Sequence, residues 1–97
     1  MQWTWDPQKN RTNKRDHGSL SFETARLVFA DPLAMSRVDP HPAGDRWQTV
    51  GLVGPVCLFV VHTWPETGLV PGEEIGRIIS ARKATLHERK AYEEGNF

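Results

Sequence analysis

A mixed α/β domain, with a small antiparallel sheet, two amino-terminal helices and one carboxy-terminal helix, is predicted by three patterns in this chain. Two β-rich runs, residues 46–53 and 56–64, meet at Gly54-Pro55 with the spacing of a hairpin. Ahead of them, Phe22, Ala25, Val28 and Phe29 recur at helical spacing. Behind them, Thr85 and Glu88 carry the signature of a capping box. With 97 residues, one domain over 1–97 is the expectation.

Trp3 and Trp5 alternate with Gln2 and Thr4, which suits a short edge strand. Residues 6–17 then form a helix-shaped stretch with no apolar side chain. Asp6 can cap it, Pro7 suits its first position, and Gly18 supplies the left-handed residue that ends it. A wholly polar helix has no greasy face to bury, so solvent is its expected surrounding. Ser21 caps the second helix and Asp31-Pro32 stops it. Residues 33–38 read as a strand and 39–45, rich in proline, glycine and aspartate, as a mobile loop. In 56–64, Val56, Leu58 and Val60 share one face and Cys57, Phe59 and Val61 the other, so both faces need covering. Residues 65–72 read as a loop, 75–81 as a strand, and the last helix starts near Thr85 and frays over 94–97.

Composition excludes several functions. No run is long or greasy enough to cross a bilayer, and the start lacks the basic flank and apolar run of a secretory signal. Together with the lone Cys57, which suits core filling, this points to the cytoplasm and to no membrane. The four histidines lack the spacing of a helix-borne metal pair, so neither a metal nor another cofactor is expected. Twelve basic and twelve acidic residues cancel, yet residues 1–30 and 77–97 each carry +2 while 31–76 carry −4. If the two ends meet, they form a basic patch suited to a phosphate backbone.

Four-residue spacing stacks Lys9, Asn13 and His17 on one side of the first helix, aiming a cation, an amide and an imidazole at one space. The competing structural use of His17 is to meet the last carbonyls of its helix. In a regular strand, Arg77, Ile79 and Ala81 face one way and Ile78, Ser80 and Arg82 the other, so one site cannot hold both arginines unless the strand bends. Glu88 is explained by capping and Tyr92 by core packing, His62 by a hydrogen-bonded core position, and His41 and His87 by exposure. Trp47 and Trp64 are more simply core residues than stacking platforms for bases.

The ordered blocks Trp5-Asp6, Lys9, Asn13, His17-Gly18, Ser21-Phe22-Glu23 and Phe29-Ala30-Asp31-Pro32 resemble the head of the BrnT ribonuclease toxins. Arg46-Trp47-Gln48-Thr49-Val50-Gly51, the run from Arg77 to Thr85, Glu88-Arg89 and Tyr92-Glu93-Glu94-Gly95 are similar to the later blocks of the same family. The resemblance implies a RelE-like fold and a bacterial type II toxin that cleaves RNA and lowers translation. It also implies neutralisation by a ribbon-helix-helix antitoxin of the BrnA type, with operator DNA bound only through the complex. Gly76 departs from the family, which usually carries a larger apolar residue there, and is a candidate site for a bulge that would redirect Arg77.

RNA can be cut without metal if the ribose 2′-hydroxyl attacks the adjacent phosphate, a reaction that needs a proton carrier and cations. His17 fits the first role, and Lys9 and Arg82 fit the second. Asn13, Arg77 and Arg89 are candidate phosphate contacts, with Glu88 and Tyr92 as possible assistants. The alternative is a degenerate toxin without activity, which binds its antitoxin and tunes operon repression.

Overall fold

A computed structural model describes residues 2–64, 66–67 and 72–97. Its central sheet runs in the order β1-β6-β4-β3-β2: β1 (Gln2–Thr4), β6 (Glu74–Lys83), β4 (Val56–Thr63), β3 (Arg46–Val53) and β2 (Met35–Val38). A two-residue β5 (Glu66–Thr67) also pairs with β6, inside the segment read as a loop; the rest of that loop, apart from Gly72, lies outside the described residues. The sheet is mixed and not purely antiparallel, because β1 runs parallel to β6, with Gln2 opposite Ile75 and Thr4 opposite Arg77. Strands from the two ends of the chain thus lie side by side.

The β3–β4 hairpin forms as expected across Gly54, whose φ of 58° supplies the left-handed turn residue. One face of the sheet packs Leu58, Val60, Ile78 and Ala81 against Phe22, Ala25 and Val28. Those three lie on α2 (Phe22–Ala25) and the 3₁₀ helix that continues it (Arg26–Ala30), so the second expected helix is α-helical for only four residues. On the other face, Val50, Cys57 and Phe59 pack against Tyr92 of α3 (Leu86–Glu94). Both bonds of the capping box at Thr85 and Glu88 are present. The end of the chain is not frayed: Gly95 closes α3 in the left-handed conformation, and Phe97 packs on Phe59 at 6.3 Å and beneath the Arg37 guanidinium.

Helix α1 (Pro7–Asp16) has the caps that its sequence specifies but not the surroundings. Asn10 and Asn13 are buried, and their amides dock the helix. Asn10 Oδ1 accepts from the Phe22 amide at 2.9 Å and its Nδ2 donates to Glu23. Asn13 Oδ1 accepts from the Ala81 amide at 3.1 Å, and its Nδ2 donates to the Leu20 carbonyl at 3.0 Å. The helix therefore seats beside β6 by satisfying backbone groups that no neighbouring strand reaches, without any apolar stripe.

Gly76 does not make a bulge. It stays in register opposite Trp3, and a Cβ there would lie 2.4 Å from the indole ring. Absence of a side chain lets Trp3 lie over the strand and stack on Phe29 at 3.9 Å.

Candidate functional site

The irregularity that matters lies three residues later in β6. Val61 pairs with Ser80 while its neighbour His62 pairs with Ile78, so Ile79 is an extra residue in the ladder. Residues directly opposite in an antiparallel pair share a face. His62 and Ile78 therefore face the core of α2, while Val61 and Ser80 face α3. Ile78 and Ala81, three apart, are both 1 % exposed in the same cluster, which a regular strand would forbid. The bulge consequently brings Arg77, Ser80 and Arg82 to one face, as the sequence required for both arginines to serve one site, yet five positions along the strand still separate the two and Arg77 alone borders a recess with Lys9.

Lys9 and His17 line one cleft between α1 and β6, about 310 Å³ in volume, together with Gln8, Thr12, Asp16, Ile79 and Ser80. Asn13 also borders it, but both ends of its amide are held by Leu20 and Ala81, so it docks the helix and is not a free contact for an anion. Lys9 also lines a smaller hollow of about 100 Å³ with Asp6, Arg77 and Ile79. Lys9 is thus the link between His17 on one side and Arg77 on the other. Thr12, Asp16 and Ser80 were missed by sequence reasoning. The first two follow from adding three-residue steps to the four-residue stripe, whereas Ser80 follows only from the strand.

Arg82 stands two positions from Ser80 on the same face but is held back from the cleft. Its Nη1 and Nη2 donate to the two carboxylate oxygens of Glu88 at 2.7 and 2.9 Å, Nη1 also donates to the Lys83 carbonyl, and the guanidinium lies 4.1 Å from the Phe59 ring centre. The Arg82 bond holds the Glu88 carboxyl below its ordinary range, helped by the Thr85 amide and opposed by burial. Glu88 Oε1 thereby serves both the cap at Thr85 and Arg82, while Oε2 accepts from Arg82 alone. Arg89 is exposed on α3 and pairs loosely with Glu93 at 3.7 Å, away from the cleft lining. Tyr92 donates to Asp31 at 2.6 Å, and that bond with burial pushes its pKa up to about 12.

The remaining candidates resolve into structural tasks. His62 is fully buried, with Nδ1 donating to the Thr63 carbonyl and Nε2 accepting from Thr49. Burial lowers its pKa. Cys57 is buried and its thiol is pushed up by desolvation, which removes nucleophilic character. His41 and His87 are exposed. Trp64 is not a core residue: it is 53 % exposed and leans on half-buried Trp47 at 5.0 Å. Among the described residues no group of three or more His, Cys, Asp or Glu is placed to hold a metal, and no helix is long and apolar enough to cross a membrane.

No curated protein matches the chain. A family model described as the ribonuclease toxin BrnT of a type II toxin–antitoxin system matches residues 5–88, which include α1, the bulged strand and the start of α3. The chain therefore belongs to the BrnT family of toxins of type II toxin–antitoxin systems.

Proposed function

We propose that this protein is a metal-independent endoribonuclease of RelE-like type, acting in the cytoplasm to lower translation and neutralised by a BrnA-type ribbon-helix-helix antitoxin that alone contacts operator DNA. The observation that carries the reading is the single cleft between α1 and β6 that Lys9 and His17 share with Ser80, with Arg77 within reach of Lys9. A phosphodiester seated there meets an imidazole for proton transfer and cations for the charge that builds on the pentacoordinate phosphorus. The ribose 2′-oxygen bonds to phosphorus as its proton leaves, the bond to the 5′-oxygen breaks, and that oxygen takes up a proton. The products are a 2′,3′-cyclic phosphate and a 5′-hydroxyl. His17 serves one of the two proton transfers, Lys9 and Arg77 bind the phosphate, and Arg82, fixed by Glu88, contributes a preorganised positive charge from the same sheet face.

Purified protein is expected to cut RNA in excess EDTA. His17→Ala and Lys9→Ala are each expected to slow cutting by about 10²-fold or more, in line with the weight of positioned proton carriers and charges, while leaving the thermal midpoint unchanged. Full activity in both variants would reject the assignment. A folded protein that binds its antitoxin yet gives no RNA product would be the non-catalytic repression module instead.

A further inference from the structure

His17 lines a second recess. On its far side lies a slot of about 260 Å³ between the turn joining α1 to α2 and the β3–β4 hairpin, walled by Leu20, Val56 and Leu58, with Thr24 and Lys83 at its polar rim. Leu58 belongs to the core and is fixed, whereas Val56 is 36 % exposed at the mouth. The wall on the α1 side is shaped by Gly18 and Ser19, both left-handed, and Ser19 is the non-glycine residue with this backbone among the described residues. The Thr24 hydroxyl accepts from Ser21 and keeps its own hydrogen to donate. Lys83 is exposed and makes no ion pair among the described residues.

We propose that this slot is a nucleobase pocket, which receives the base of the nucleotide whose phosphate lies at His17; the proposal rests on the ribonuclease reading above. A base has two flat apolar faces and a polar edge, the inverse of aliphatic walls with a hydroxyl and an ammonium at the rim. One nucleotide spans phosphate, ribose and base, and His17 is the side chain common to the phosphate cleft and the slot. Size decides against a helical partner: a helix with side chains is about 10 Å across, too broad for a recess of this volume. The charge also agrees, since Lys83 and Lys9 flank His17 from the two recesses and suit a chain of phosphodiesters more than a lone apolar side chain.

The test is a methyl NMR titration of the intact protein with each of the four ribonucleoside 3′-monophosphates, and with ribose 5-phosphate as the control for phosphate alone. Methyl signals of Val53, Val56 and Leu58 are expected to move with at least one nucleotide and to stay in place with the control. Val56→Trp, which fills the mouth of the slot, is expected to weaken nucleotide binding at least tenfold with an unchanged thermal midpoint. Thr24→Val is expected to change which base is preferred. Methyl signals that ignore all four nucleotides, or that follow ribose 5-phosphate equally well, would overturn the proposal, as would movement confined to addition of antitoxin. The titration needs no turnover, so RNA cleavage without base binding defeats the slot alone, and base binding without cleavage defeats the ribonuclease reading.

Discussion

Truncating Asn13 to alanine would strand two backbone groups, the Ala81 amide and the Leu20 carbonyl, that its side chain now satisfies. Leaving buried polar groups unpaired costs on the order of 2–3 kcal/mol, so Asn13→Ala is expected to lower stability by about that amount in urea unfolding. Lys9→Ala, on the exposed side of the same helix, is expected to leave the urea midpoint almost unmoved. Stripe arithmetic from sequence treats the two positions alike because it knows spacing and not which neighbour the helix meets. Polar character misleads in the same way at Asn10, where burial is driven by hydrogen-bond demand from the Phe22 amide and not by hydrophobicity. Gly76 shows the converse: its lack of a side chain suggests backbone freedom, yet what it provides is room for the Trp3 ring.

Elements announced by local chemistry were legible in the sequence, and those set by distant partners were not. Caps at Asp6, Ser21 and Thr85 and the turn at Gly54 act over a few residues, and each appears where the sequence puts it. Thr85→Ala removes the bond to the Glu88 amide and is expected to cost about 1 kcal/mol, seen as a fall of roughly 4–8 °C in the thermal midpoint of a domain this size. Parallel pairing of β1 with β6 joins residues more than seventy positions apart and leaves no local mark. The extra residue at Ile79 is equally silent, since any aliphatic side chain suits a strand. For the candidate site, the helical pair Lys9 and His17 was legible from spacing, whereas choosing between Arg77 and Arg82 depended on parity along β6, which the bulge resets.

Across the molecule, two polar nodes, one half-buried at Asp31 and one buried at His62, tie the layers together and set the response to pH. Asp31 accepts from the amides of Leu33 and Leu52 and from the Tyr92 hydroxyl, joining the 3₁₀ segment, β3 and α3. Burial raises its pKa, but those three bonds outweigh it and hold the carboxyl below its usual range. At the other node, Ser36 donates to Thr49, Thr49 to His62, and His62 to the Thr63 carbonyl, a chain that is complete only with a neutral imidazole. The folded His62 pKa is lowered chiefly by burial, so the unfolded chain binds this proton more readily. Stability is expected to decline as pH falls below about 6.5, the ordinary histidine value, well before Asp31 and Glu88 lose their bonds at more acidic pH. Thermal midpoints between pH 7.5 and 5 check this, and His62→Gln should flatten the slope. The marriage of β1 and α1 to a strand that begins at Glu74 has a further result during synthesis. A ribosome-bound chain that has not yet extruded its final strand carries the amino-terminal cations and imidazole but has no wall to set them against. The cleft that Lys9 and His17 share with Ile79 and Ser80 therefore closes only once β6 has left the ribosome, and if the proposed ribonuclease site is that cleft, a nascent chain short of β6 cannot cut RNA.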